Sequence, residues 1–254
     1  MQQSDRRSQK LPQAALTHVG GIPPEHHADF VATMEEILEV YQRPYEPQHP
    51  LVNMDEKPMQ LMQETRTPWP AQPGKPQRYD DEDARVGTAN VFRVTESLTG
   101  GRTIDIAAQR TAVDWAHQIK PLLDDCYPDA TKVRWVCDHL NTPKIASLYE
   151  AFTPQEARRL ARRLEVHSTP KHGSWLHIAE IAWSVRTKQC LKRRIAASET
   201  LRQETKAWEH DRNAKQTGVD WHCTTENARI RLTRLYPQYQ GCSTPGKISR
   251  FAAP

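Results

Sequence analysis

The sequence predicts an α/β fold, a mixed sheet covered by helices. Three observations predict it. Leu51–Met54 and Lys132–Cys137 are short runs rich in apolar residues, as in buried strands. Ala89–Glu96 and Thr103–Ala108 flank Thr99-Gly100-Gly101, the pattern of a hairpin. Before, between and after these runs, apolar residues recur at helical spacing.

Each element follows from its residues. Residues 1–27 are polar, contain Gly and Pro, and show no period, so they are expected to be poorly ordered. Phe30, Met34, Ile37, Leu38 and Tyr41 space a helix over 28–41, which Pro44, Pro47 and Pro50 end. Leu51–Met54 is then expected as a buried strand that stops at an acidic loop, Asp55-Glu56-Lys57-Pro58. Pro68, Pro70, Pro73, Gly74 and Pro76 make 64–86 an irregular excursion. Val113, Ala116, Ile119 and Leu123 set a helix over 112–123, and the strand Lys132–Cys137 ends at Asp138. A helix is expected over 145–152. Thr153 and Pro154 then cap a second one running to about Leu164, and Glu165–Ser168 is a strand. Ser174 caps a long helix from Trp175 to about Leu191, with Trp175, Ile178, Ala182 and Val185 along one stripe. Further helices start at Ser198 and near Thr225, the latter ending before Pro237, and the tail over 238–254 is expected to fray.

Composition excludes several classes. Mean hydropathy is −0.79 and there is no long apolar run, which argues against a membrane partner. Met1–Lys10 has no apolar core of a secretory signal. The five cysteines (Cys126, Cys137, Cys190, Cys223, Cys242) form no CxxC pair and read as reduced thiols of a cytoplasmic protein. No GxSxG elbow and no Gly-rich phosphate loop is present. His222-Cys223, Cys190 and His139 fit no standard zinc spacing. Net charge is only +4, but Arg158, Arg159, Arg162 and Arg163 cluster, as do Arg186, Lys188, Lys192, Arg193 and Arg194, and Arg229, Arg231 and Arg234. Such clusters suit a polyanion, and equally a solvated helix face.

The chemistry is carried by acids. Asp55 and Asp138 stand at the ends of two expected strands, where open α/β sheets place ligands. Glu180 sits among Ala179, Ile181, Ala182 and Trp183, so it must be paired, hydrated or metal-bound. Three converging carboxylates stay ionised together only with a cation present. Hard oxygen donors suit Mg²⁺ or Mn²⁺, and two such ions can serve an in-line displacement at phosphorus.

These residues resemble a known family. The matching stretches include Ile22-Pro23-Pro24, Asp55-Glu56-Lys57-Pro58, Arg110-Thr111-Ala112-Val113-Asp114-Trp115-Ala116 and Val136-Cys137-Asp138 followed by Leu140-Asn141-Thr142. Ser147-Leu148-Tyr149-Glu150-Ala151-Phe152 also matches. The most specific is Thr169-Pro170-Lys171-His172-Gly173-Ser174-Trp175-Leu176, running on to Ala179-Glu180-Ile181. The likeness continues to Arg234-Leu235-Tyr236-Pro237. Over roughly 22–237 the chain resembles DDE-type transposases (DDE superfamily endonucleases) of the bacterial insertion-sequence group related to mariner-like elements. The resemblance implies a ribonuclease-H-like mixed sheet flanked by helices, with additional C-terminal helices, in a catalytic domain over 28–237. It implies Asp55, Asp138 and Glu180 as catalytic and metal-binding residues, with Mg²⁺ or Mn²⁺, two ions in all. It also implies double-stranded DNA as partner (element ends and target), strand cleavage followed by strand transfer, and a bacterial cytoplasmic location. A homodimer is left open.

The chain departs from the family pattern in four places. Members usually carry an N-terminal helix-turn-helix region, whereas about fifty residues precede Asp55 here, so a truncated copy is one expectation. His139 replaces a usual Asn, Pro143 a common His, and His177 an Asn that often follows SerTrpLeu. The alternative reading is an inactive transposase remnant that only binds DNA non-specifically. A structure-selective nuclease or integrase on the same fold is a third reading, against which the quoted motifs argue.

Overall fold

The computed structural model describes residues 9–10, 27–66, 72–75, 82–138, 144–178, 194–215 and 219–238. Helix α1 (Ala28–Gln42) opens on His27, whose Nδ1 accepts from the Phe30 amide at 3.1 Å. Its apolar stripe is buried, and the extended Arg43 before Pro44 ends it. Five strands follow in one sheet: β1 (Leu51–Glu64), β2 (Asp83–Glu96), β3 (Arg102–Ala107), β4 (Val133–Cys137) and β5 (Leu164–Ser168). Their spatial order is β3-β2-β1-β4-β5. The first three are antiparallel neighbours, while β1–β4 and β4–β5 are parallel.

The mixed sheet follows from the connections. Gly100, at φ 80°, turns the chain between β2 and β3, where the mirror-image region costs glycine little. The parallel neighbours are joined by helical crossovers. The first contains α2 (Ala112–Pro121), capped by a reciprocal Thr111–Asp114 box. A π-helical turn over Leu122–Cys126 succeeds it directly after Pro121. The second contains α3 (Ala146–Ala151) and α4 (Pro154–Arg162), and Thr153 caps α4 with Pro154 in its first turn. Helices α5 (Ser198–Ala214) and α6 (Thr225–Arg231) complete the set, with a 3-10 turn at Thr233–Leu235. Gln9–Lys10 pairs in parallel with Val219–Asp220. No helix among the described residues is long and apolar enough to cross a membrane.

Strand alternation sorts the core into layers. Val52, Met54, Phe92, Val94 and Trp135 face α2, α3 and α4, packing on Trp115, Ile119, Leu148 and Leu160. Leu51 and Val136 point the other way, onto α1 and α6. Further along that second face, Leu61, Ala89, Val91, Ile104 and Ile106 pack on Ile195 and on Leu201 of α5. Along β1 these two clusters leave a gap, and Asp55 and Lys57 occupy it.

Two expectations need correction. The strand begun at Leu51 does not stop in an acidic loop before Asp55. It continues through Asp55 and Pro58 to Glu64, in register with β2 along its length apart from a bulge at Leu61/Met62. Among the described residues the β4 ladder ends at Asn53, so beyond it β1 has β2 as its only strand neighbour, and an edge tolerates proline. The irregular excursion expected over 64–86 is thereby shortened at both ends. The long helix expected from Trp175 instead opens with a 3-10 turn over Ser174–Leu176. Its later residues, Ala182 and Val185 included, lie outside the described residues.

Candidate active site

The parallel β1–β4 ladder pairs Leu51 with Arg134, Val52 with Trp135 and Asn53 with Val136, and there it stops. Asp55 lies two residues past the last pair on one strand and Asp138 two residues past it on the other. The two acids therefore stand at the same level, just past the end of a ladder whose strands are spaced about 5 Å apart. Both are partly buried. Across β2 the register partner of Asp55 is Arg93, which is buried. Its Nε donates to Thr95 Oγ1 at 3.2 Å and its guanidinium lies over the Trp208 ring.

Asp138 is held from β5. The buried Thr169 donates its hydroxyl to Asp138 Oδ1 at 3.1 Å, and its amide donates to the Cys137 carbonyl at 2.9 Å. The parallel β4–β5 pairing, which ends with Cys137 opposite Ser168, brings Thr169 there.

The electrostatics show that the acids share a neighbourhood. Burial pushes the Glu56 carboxyl up to about 7, the charges of Asp55 and Asp138 push the same way, and Arg110 opposes them. Burial also lifts the Cys137 thiol to about 11, with Asp138 and Glu56 adding to the rise, so Cys137 is no nucleophile. His177 has no exposed surface, and burial pulls its imidazole below the ordinary histidine value while Asp55 and Asp138 pull it back up. A half-buried site that gathers negative charge and offers hard oxygen donors fits a divalent cation of the Mg²⁺ or Mn²⁺ type.

Of the three acids expected from sequence, Asp55 and Asp138 come together, and Glu180 lies outside the described residues. Among the described residues no group of three or more His, Cys, Asp or Glu side chains converges as a metal site, zinc included. His139, Pro143, Cys190 and Trp69 also lie outside. Trp175 packs against the α1 core, as its apolar stripe suggested. Sequence reasoning gave no role to Glu56, Arg110 or Thr169. All three stand in quoted motifs, and the signal for Glu56 was its place beside Asp55.

The basic clusters are partly spent on structure. Arg159 pairs bidentately with Asp124 (2.8 and 2.7 Å) and also with Glu156. Arg163 donates to Asp124 and to the Tyr127, Pro128 and Ala130 carbonyls. Arg229 grips Glu35 of α1 with two bonds of 2.8 and 2.9 Å, and Arg194 meets Asp83 and Glu64. Arg158, Arg162, Arg231 and Arg234 are exposed. Arg186, Lys188, Lys192 and Arg193 lie outside the described residues.

Comparison with known proteins decides the family. Residues 50–202, more than half of the chain, match the model of the DDE superfamily endonucleases. The chain belongs to that family. Its structure is similar to that of the mariner Mos1 paired-end complex with Mg, with a TM-score of 0.51 and 16% identity, covering 87% of this chain and 67% of that one. The Mos1 paired-end complex with Mn gives 0.49 and 15%, covering 85% and 61%, and the Mos1 strand transfer complex gives 0.49 and 15%, covering 86% and 62%. This chain thus spans about three fifths of the first of those with Mn. No curated protein sequence matches. The DDE fold here is the ribonuclease-H-like one, with five strands in the order β3-β2-β1-β4-β5 and helices on both faces.

Proposed function

We propose that this DDE endonuclease is a transposase that cuts and rejoins double-stranded DNA, using Asp55, Asp138 and Glu180 to hold divalent cations. The observation that carries the reading is the placement of Asp55 and Asp138 at one level, just beyond the end of their shared ladder. Burial raises the Glu56 carboxyl first and the charges of Asp55 and Asp138 add to the rise, and that added negative charge, which a bound cation would relieve, supports the reading.

Mg²⁺ or Mn²⁺, when bound, supplies Lewis-acid polarisation of a phosphate oxygen and a strong oxygen nucleophile at neutral pH. The chain's own part is placement. The rigid sheet fixes the two aspartates, and Thr169 holds Asp138 from the neighbouring strand. Glu180, three residues after His177, is proposed as the third acid. Arg110, close enough to act on Glu56, puts positive charge at the rim where a phosphodiester would approach. Membership of the DDE superfamily endonucleases, with the fold shared with the mariner paired-end complex with Mg, supports DNA as the substrate class.

The test is nicking of a duplex by the purified chain with Mg²⁺ or Mn²⁺. Asp55→Ala, Asp138→Ala and Glu180→Ala should each abolish it. Cleavage that survives in all three variants refutes the assignment. Salt-sensitive DNA binding without turnover under either metal would favour the inactive-remnant reading instead.

A further inference from the structure

One buried group near the acids has no role in the account above. His177 is fully buried, yet neither ring nitrogen has a well-formed hydrogen bond. A buried imidazole without partners is costly and calls for an explanation. Its surroundings supply one. The ring faces the backbone carbonyls of Val136 and Met54. Val136 is in the last pair of the β1–β4 ladder and Met54 is the first residue beyond it. His177 therefore stands in the fork where the two strands part, one residue before Asp55 on one side and two before Asp138 on the other.

The residue before it is fastened to the same place. The buried Tyr41 hydroxyl of α1 lies 2.8 Å from the Leu176 carbonyl and 2.7 Å from Asn53 Oδ1. Asn53 is the other member of the last ladder pair, and its Nδ2 donates to Ser97 Oγ at 2.6 Å. The turn over Ser174–Leu176 is thus anchored to the final rung, which presents His177 to the fork.

We propose that His177 is a positioning residue, a wedge whose ring N–H braces the parted carbonyls of Met54 and Val136 and so sets the spacing of Asp55 and Asp138 for a divalent cation. The inference rests on the metal reading of the site given above. A neutral imidazole has one N–H, so it donates to one of the two carbonyls at a time, and the ring's bulk keeps the strands apart. An apolar residue of similar size keeps the bulk and loses the donor. Asn, with two amide protons, keeps a donor.

The test is Mn²⁺ binding by the full chain, followed by the loss of the free-ion paramagnetic resonance signal. His177→Leu should weaken binding by about tenfold or more, the scale of losing an outer support of a metal site. His177→Asn should stay close to the wild-type value. Thermal unfolding of each variant shows that it is folded. His177→Leu binding as wild type, or His177→Asn falling as far as His177→Leu, overturns the proposal while leaving the metal site intact. Wild-type chain that binds no Mn²⁺, or Asp138→Ala that binds it equally well, overturns the metal reading and the wedge with it. An independent measurement needs no variant. The His177 ring proton should appear in nitrogen-correlated proton spectra as a slowly exchanging imidazole N–H, and free exchange with water overturns the brace.

Discussion

Tyr41→Phe removes one oxygen from the α1 side of the site and changes little else. The ring is 4% exposed and packs at 4.9 Å between centroids on Trp221, so phenylalanine fills the same space. What is lost is the hydroxyl between Asn53 Oδ1 and the Leu176 carbonyl. One O–H carries one proton, so a single donated bond disappears, and the cost is that of one buried acceptor left short rather than two. Asn53 has no exposed surface, so water cannot replace the lost donor. A buried group left unsatisfied costs about 1–3 kcal/mol, and the middle of that range, about 2 kcal/mol, is the expected loss. With a urea m-value of about 2–3 kcal/mol/M, the midpoint should fall by roughly 0.7–1 M at unchanged m. The seven tryptophans give the fluorescence signal. A loss below about 0.5 kcal/mol, no more than an ordinary surface substitution, would refute the claim that this hydroxyl fastens the Leu176 turn to the last rung of the ladder.

Two further tests follow from the same site. Glu56 titrates near 7 in the folded chain against 4.5 for an ordinary glutamate, so its contribution to stability is present below pH 4.5 and is lost as pH rises through 7, by about 3 kcal/mol at most. Urea midpoints with a chelator present should therefore fall between about pH 5 and about pH 8 in wild type and fall less in Glu56→Gln; equal slopes would contradict the burial of Glu56 beside Asp55 and Asp138. Gly173→Ala would bring a Cβ to 2.5 Å from Pro170 Cγ and 2.9 Å from the Pro170 carbonyl, whose oxygen accepts from the Gly173 amide. Relieving that overlap should cost about 1–3 kcal/mol in thermal unfolding and lower nicking as well, because this turn links Thr169 to His177; an alanine variant with wild-type melting would show that the turn yields freely.

The fold was legible where burial writes a pattern. Two of the runs read as strands, Leu51–Met54 and Ala89–Glu96, are the continuously buried stretches of β1 and β2. The six residues from Asp83 to Thr88 are exposed, as are Lys57 and Pro58, so neither stretch carries an apolar signal. Lys57 and Pro58 pair with Val91 and Asn90, and Asp83–Thr88 runs beside Gln60–Glu64, so their conformation comes from partners distant in sequence, which no local pattern reveals. Helix starts were legible for the opposite reason, since Thr111 with Asp114, and Thr153 with Pro154, cap their own helices within four residues.

The same distinction explains the site. The position of Asp138 was legible because an acid directly after an apolar strand is a local event. The same rule picks out Asp55 although it lies inside a strand; the end beside it is that of the β4 ladder, not of β1 itself. Thr169 and His177 could not be found that way. Each reaches the acids only through a parallel crossover, Thr169 across 31 positions to Asp138. The rung that places His177 also depends on Tyr41, 135 positions from Leu176. A site built at the parting of two parallel strands is specified by where their pairing fails. That point is set jointly by α1, β1, β4 and the Ser174–Leu176 turn, so substitutions that shift it should act on the proposed metal site without touching either aspartate.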